Sequence, residues 1–336
     1  MTINISFVKI IVTGCFGFIG FNFLRYIQKE LPDEIQITGI DNLNNTCSIK
    51  NMELFKDKNF HHVNLDINNI SELKNQNYDI LINFAAESHV DNSISNPIGF
   101  ANTNVLGTMS LLNYALKNNI NRFIHISTDE VYGSSENGYF RENEKFNPSS
   151  PYSASKASAE NFCNAYRKTY EQNIVILRPC NNYGSFQQPE KLIPFSILQL
   201  LNDNNIEIYG KGINIRNWIN VKDTSRAILH VIEKKVNNQD LNISTDYFLD
   251  NITLAKKIVK SMNLDEERIS FIEDRPGHDF RYAADNSKIL STGWKPIENF
   301  DTSLENIIDW YQSNEKWWKI NYEDTLAKRS KRFLIE

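Results

Sequence analysis

Short runs of apolar, β-prone residues alternate with stretches of helical spacing along the first half of this chain. "FVKIIVTG" reads as a strand, and Ile19, Phe23 and Ile27 then recur at the interval of one helix face. "EIQITGID", "FHHVNLD", "DILINFAAES", "RFIHISTDE" and "IVILRPCNNYG" repeat the strand pattern, with helical stretches near 102–118 and 152–172 among them. Strands that are nearly continuously apolar need cover on both faces, which predicts an α/β fold with a doubly wound parallel sheet. After Gly184 the rhythm breaks, in "QQPEKLIPFSILQLL" and "NNIEIYGKGINIRNW"; "WINVKDTSRAILHVIEKK" and "LNIS" resume it. The expected organisation is a nucleotide-binding domain of residues 1–185 plus about 218–247. A smaller α/β substrate domain, about 186–217 plus 248–336, is interleaved with it.

Composition narrows the classes. The 336 residues are 41% hydrophobic and 23% charged, with a net charge of −5. That balance is ordinary for a globular protein and offers no basic stripe for nucleic acid. The short basic piece "KRSKR" near the C-terminus reads as a solvated tail. No apolar run approaches the ~20 residues of a membrane span, and the N-terminus lacks the pattern of a signal peptide. Cys15, Cys47, Cys163 and Cys180 show neither metal nor disulfide-framework spacing. A reducing, cytoplasmic setting and no metal are expected.

The first strand–helix turn carries candidate chemistry. "IVTGCFGFIG" places Gly14, Gly17 and Gly20 where glycine permits a tight turn, close approach of backbone to a pyrophosphate, and close helix–strand packing. This is the turn of a Rossmann-type site, with helix N–H groups available to phosphate. Asp41, at the end of the next strand, is placed to accept from ribose hydroxyls and to repel a 2′-phosphate, so NAD is expected rather than NADP. In "PYSASKASAE", Tyr152 and Lys156 stand one helical turn apart. An ammonium beside a phenol favours its ionised form, and such a pair can take a proton from an alcohol as hydride leaves. Ala154, Ala157, Ser158 and Ala159 would let another helix approach closely. Finally, "HISTDEVYG" runs a strand directly into Asp129 and Glu130. This is either an acidic surface turn or an acid and a base whose pKa values are driven apart.

Together these segments resemble a known family. The glycine turn and Tyr-x-x-x-Lys pair are similar to extended short-chain dehydrogenase/reductases. "NFAAESHVDNSI", "HISTDEVYG", "NNYGSFQQPEKLIP", "GKGINIRNWINVKD" and "DRPGHDFRYAAD" resemble the nucleoside-diphosphate-glucose 4,6-dehydratases, in order and over nearly the whole chain. The resemblance implies an NAD-dependent hydro-lyase that makes 4-keto-6-deoxy sugar nucleotides for deoxysugar synthesis, rhamnose among the possible sugars, and that works as a homodimer. Tyr152, with Lys156 and Thr128, would oxidise carbon 4. Glu130 would remove the hydrogen on carbon 5, and Asp129 would protonate the departing hydroxyl on carbon 6. Cofactor contacts would come from the glycine turn, Phe18, Ile19, Asp41, Asn42, Leu43, Asn44, Asp66, Ile67, Phe84, Ala85, Ala86, Thr103 and Asn182, besides Tyr152 and Lys156. Sugar-nucleotide contacts would come from Ser88, Thr128, Asn181, Lys191, Leu192, Glu207, Tyr209, Arg216, Asn251, Arg275 and His278. Glu207 stands where the bacterial thymidine-nucleotide enzymes usually carry proline. "WYQSNEKWWKI" looks more like the eukaryotic uridine-nucleotide enzymes. Thymidine and uridine therefore both stay open, as do glucose, N-acetylglucosamine, an added 5-epimerisation, and a plain 4-epimerase.

Overall fold

A computed structural model describes residues 8–31 and 35–329. The strands are β1 (Val8–Thr13), β2 (Ile35–Asp41), β3 (Phe60–Asn64), β4 (Ile80–Asn83), β5 (Arg122–Ile126), β6 (Ile174–Pro179), β7 (Asn181–Tyr183), β8 (Ile206–Tyr209), β9 (Ile215–Asn220), β10 (Asp240–Ile243), β11 (Phe248–Asp250) and β12 (Ile269–Ile272). The first six helices are α1 (Phe18–Glu30), α2 (Thr46–Leu54), α3 (Val90–Ser95), α4 (Pro97–Phe100), α5 (Thr108–Lys117) and α6 (Pro151–Thr169). The others are α7 (Leu192–Leu201), α8 (Val221–Glu233), α9 (Asn251–Ser261), α10 (Ser287–Ser291), α11 (Phe300–Ser313) and α12 (Glu315–Arg329).

Seven strands form one parallel sheet in the order β10-β6-β5-β4-β1-β2-β3. The chain is a doubly wound α/β protein. Its sheet is covered on both faces because successive strand residues point opposite ways and both sets are apolar. Ile10 and Val12 of β1 join a core with Phe23, Leu24 and Ile228. Ile11 between them joins another with Leu111, Leu112 and Cys163. The strand order reverses between β1 and β4, and the crevice at the carboxyl ends there is where such sheets bind ligands.

Two smaller sheets stand beyond it: β11-β9-β7, and the parallel pair β12-β8. "IVILRPCNNYG", read as one strand, is divided after Pro179. Its first part, β6, stays in the large sheet, whereas β7 leaves to pair with β9. A local apolar pattern cannot specify which partner a strand will find. For the same reason the return of rhythm at "WIN" is not a return to the large sheet, which only β10 rejoins. The helical pattern near 102 begins earlier than its spacing predicts. It starts with α4 and passes through a π-helical segment, Ala101–Gly107, before α5. Single π turns of this kind recur at functional sites.

One buried charge crosses the whole assembly. Arg178 on β6 is fully buried and donates to Glu160 of α6 from Nε and Nη2, at 2.9 and 2.6 Å to Oε2. The same guanidinium reaches Asp240 of β10 at 3.0 Å and the Tyr132 hydroxyl at 2.6 Å. Burial alone would depress its pKa, but these anions, Glu160 foremost, raise it instead. We expect Arg178→Met to cost about 3–5 kcal/mol, because it leaves Glu160 without its cation in the interior, while Asp240 keeps Arg167 at 2.9 Å. Denaturant unfolding checks this, and a loss below about 1 kcal/mol would show that water reaches the cluster.

Candidate active site

The glycine turn wraps the end of β1. Gly14 has φ +61°, and a Cβ there would lie 2.6 Å from the Ala85 amide nitrogen, so the turn sits directly against the end of β4. A Cβ on Gly20 would strike the Gly14 carbonyl oxygen. Gly17 caps α1 without any side-chain hydrogen bond, and Phe18 and Ile19 open the helix. Its first N–H groups are therefore available to an anion. The cradle fits a dinucleotide's pyrophosphate.

Asp41 is tied into the turn. Its Oδ2 accepts from the Phe16 amide at 3.0 Å and its Oδ1 from the Leu43 amide at 2.9 Å. Burial raises its pKa, and these two amides oppose that. A carboxylate offers about four acceptor sites, so it can still take a ribose hydroxyl. Beside it Asn42 donates to Asp66 at 3.2 Å, and Asn44 to Glu87 at 3.3 Å. At Asp66, burial is outweighed by bonds from Asn68 and Asn42, and its pKa is lowered. Ile67 is buried next to it; Phe84, Ala85 and Ala86 follow β4, half-buried. Thr103 lies in the π-helical segment. Asn182, on β7, is engaged at both ends, by the Cys180 carbonyl and the Thr224 hydroxyl.

The acids sit deeper. Thr128 caps the short 3₁₀ turn Asp129–Tyr132, its hydroxyl accepting from the Glu130 amide at 3.2 Å. Asp129 is buried, and its Oδ2 has no partner among the described residues. Burial first, and the Glu130 charge second, push it up to about 8. Burial also raises Glu130, but there Arg275, Arg216 and Lys191 all pull down. The two neighbours are thus separated by what each faces.

Tyr152 is the second residue of α6, and its position is fixed by Pro151 and by a capping box between Ser150 and Ser153. Its pKa is raised by burial and by both carboxylates, against a hydrogen bond from Thr128. Lys156 donates to the Ile126 carbonyl at 2.7 Å and is pushed down to about 8 by burial. This differs from the expectation that the ammonium governs the phenol. In the protein alone burial is the largest influence on the phenol, and the Glu130 and Asp129 carboxylates add to it.

A cationic rim completes the cleft. Lys191 reaches the Ser88 carbonyl at 2.6 Å, just before Leu192 opens α7. Arg216 is buried, donates to the Asp279 carbonyl at 3.0 Å and lies 4.2 Å over the Tyr282 ring. Arg275 pairs with Asp91 at 3.3 Å, and Asp91 also accepts from the Tyr209 hydroxyl at 2.8 Å. His278 is bonded to Asp274 at 2.7 Å and is lowered to about 4 by burial and then by Arg275. It stays neutral. Asn181 Oδ1, Asn251 Oδ1 and Arg275 Nε are buried without partners among the described residues, as polar atoms awaiting a polar ligand are. Asp91, Asp279 and Tyr282 were not singled out from sequence, although all lie in quoted segments. Their only signal is the contact they make across the cleft.

Residue identity across whole chains agrees with this geometry. Residues 11–307 match the family described as GDP-mannose 4,6 dehydratase. Low-salt glycan biosynthesis protein Agl12 of Haloferax volcanii is 40% identical over 311 residues, covering 91% of this chain and 99% of its own length. The dTDP-glucose 4,6-dehydratase of Escherichia coli is 38% identical over 348 residues, covering 93% and 95%. Among solved structures, DesIV, a dTDP-glucose 4,6-dehydratase from Streptomyces venezuelae with NAD bound, has a TM-score of 0.89. It is 35% identical, over 94% of this chain and all of its own. The chain belongs to the GDP-mannose 4,6-dehydratase family.

Proposed function

We propose that the protein is an NAD-dependent nucleoside-diphosphate-hexose 4,6-dehydratase acting on dTDP-glucose or UDP-glucose. The observation that carries this is the Asp129–Glu130 pair beside Tyr152, Asp129 buried and Glu130 half-buried, with Asp129 raised to about 8. An epimerase that only oxidises and reduces carbon 4 has no use for such a pair. Relatives named as dTDP-glucose 4,6-dehydratases support the substrate class.

The glycine turn and Asp41 would hold NAD, which would accept hydride from carbon 4 and return it to carbon 6. Tyr152, bonded to Thr128, would take the proton of the carbon-4 hydroxyl. Glu130 would remove the proton at carbon 5, acidified by the new ketone, and would return it to carbon 5 as hydride adds to carbon 6. Asp129, still protonated, would donate to the hydroxyl leaving carbon 6, so one water departs. Lys191, Arg216 and Arg275 would bind the diphosphate through charge-assisted donors. The strands β7, β8, β9, β11 and β12 would form the substrate side. No helix among the described residues is long and apolar enough to cross a membrane, and all four cysteines are free and buried, which suits a reducing cytoplasm. Exposed Ile98 and Leu106 near α5, with half-buried Ala154, Ser158 and Phe162 on α6, would form the seam of a homodimer.

Mass spectrometry after incubation with dTDP-glucose, UDP-glucose and UDP-N-acetylglucosamine should show loss of one water from a preferred substrate; intact mass with every one refutes the proposal. Glu130→Gln should lose dehydration by roughly two or more orders of magnitude, as removal of a general base does, while still reducing cofactor. Tyr152→Phe should lose both signals, and unchanged dehydration in Glu130→Gln would remove that carboxylate from the mechanism.

Asp129 should also register in stability. Unfolded, it ionises above about 3.9; folded, only above about 8. Across that window the folded chain holds a proton that the unfolded chain has released, so wild-type stability falls as pH rises. Asp129→Asn should therefore gain on the wild type between those two pH values and no further above them. Thermal melts across pH test this, and a gap independent of pH would place Asp129 in the ordinary carboxylate range. Light scattering at micromolar concentration should give twice the chain mass; a monomer would refute the seam.

A further inference from the structure

One carbonyl of the glycine turn is held from the other end of the chain. The peptide joining Phe16 to Gly17 comes just before α1, whose first N–H groups are open to a pyrophosphate. Its N–H, that of Gly17, donates to the Gly14 carbonyl at 3.1 Å. Its C=O, that of Phe16, accepts from Asn51 Nδ2 of α2 at 2.9 Å. The Phe16 amide, one peptide earlier, donates to Asp41 Oδ2 at 3.0 Å. Without Asn51, rotation of the Phe16–Gly17 peptide would carry a partial negative charge towards the phosphates.

Asn51 serves that carbonyl in only one of its two amide orientations. It is fully buried, and its Oδ1 accepts from Trp317 Nε1 of α12 at 2.8 Å. An indole N–H can only donate, so Trp317 keeps the amide oxygen on its own side and turns the NH2 to Phe16. Lys50 donates to the Trp317 carbonyl at 3.3 Å, tying the start of α12 to α2. The indole lies edge-on to Trp310 at 5.0 Å and to Phe186 at 5.7 Å. Phe186 holds φ +67°, uncommon for a bulky side chain. Its ring is wedged against Phe21 of α1 at 5.0 Å and Trp310 at 4.6 Å. Packing and hydrogen bonding thus place the indole together.

We infer that Trp317 and Asn51 are positioning residues for the dinucleotide. The indole orients the amide, and the amide turns the Phe16 carbonyl away from the pyrophosphate. The α1 N–H groups then face the phosphates with no opposing dipole beside them. Retention of the cofactor is set in part by a helix residue 266 positions beyond Asn51. This role rests on the cofactor part of the proposed function alone, with the glycine turn as the pyrophosphate cradle. It does not depend on the sugar nucleotide or on its dehydration.

Equilibrium dialysis of the full chain against graded NAD, with bound NAD counted per chain by mass spectrometry, tests it. Asn51→Leu removes both hydrogen bonds. Trp317→Phe removes the indole donor and keeps a ring against Phe186 and Trp310. Each should bind NAD about three- to tenfold more weakly than wild type, the net effect of one buried hydrogen bond. The two losses should not add, because Trp317 acts through Asn51; the double variant should match Asn51→Leu alone. With NAD in excess, KM for the nucleotide hexose should stay within about twofold of wild type. If Asn51→Leu does not fold, Asn51→Asp takes its place with the same expectation, since it keeps the acceptor for the indole and loses the donor to Phe16. If Trp317 only packs α12, Trp317→Phe lowers the melting temperature but changes NAD affinity less than about twofold, and the proposal fails. Additive losses overturn it as well, because they separate the indole from the amide. A wild type that binds NAD yet dehydrates no nucleotide hexose keeps these roles and removes the dehydratase reading. A wild type that binds no NAD removes both.

Discussion

The buried Arg178–Glu160 pair is the contact on which the site's geometry depends. Glu160 lies one turn beyond Lys156 on α6, whereas Tyr132, which accepts from Arg178 at 2.6 Å, ends the turn that begins with Asp129. One guanidinium thus fixes the helix bearing Tyr152 and Lys156 against the turn bearing both acids. Tyr132 passes the constraint on to Asn242 of β10 at 2.8 Å. A hydrophobic contact in this place could slide by a fraction of an ångström at little cost. A forked, fully desolvated ion pair cannot, because any slip leaves a charge unpaired where the dielectric is low. Proton transfers that need donor and acceptor within hydrogen-bond reach require that rigidity.

The acids themselves illustrate how placement sets chemistry. Adjacent carboxyls share burial and repel each other, so the difference between them must come from a third party. Glu130 faces Arg275, Arg216 and Lys191, and these cations oppose its rise. For Asp129 the Glu130 charge adds to burial, and of those cations only Arg216 opposes. The rim therefore holds one carboxyl closer to ionisation than the other. Under the proposed function the same cations also carry the diphosphate. Negative charge arriving there would weaken their hold on Glu130, which raises its basicity when a substrate is in place.

Much of this was legible in the chain, for reasons that can be stated. A parallel sheet buried on both faces prints itself as apolar runs, and β1 to β6 were readable in that way. The glycine turn was legible because Gly14 and Gly20 have no room for a side chain, whatever surrounds them. The acid pair stood out because carboxyls do not follow a buried strand without cause. What escaped were relations between distant residues. Nothing local in "IVILRPCNNYG" reports that β7 will pair with β9, or that Arg178 within it will meet Glu160. Spacing reveals Lys156 one turn from Tyr152, but neither the Ile126 carbonyl that Lys156 engages nor the burial that raises the phenol.

The C-terminal helix shows the cost of reading charge by composition. "KRSKR" has the look of a tail, yet Arg329 is held by Glu207, 122 residues earlier. The helix that delivers it is anchored at both halves of the molecule. Trp317 donates to Asn51 Oδ1 at 2.8 Å, and the Asn51 amide in turn holds the Phe16 carbonyl at 2.9 Å, next to Gly17 of the cofactor turn. Tyr322 donates to Gln199 of α7 at 2.5 Å. A single helix therefore links the backbone of the glycine turn to α7 and to Glu207 of β8. Asn51 can satisfy both neighbours only because its amide has a donor and an acceptor side. A carboxylate there would leave the Phe16 carbonyl unmet and an aliphatic residue would leave both groups unmet, and either would loosen the turn and the helix together.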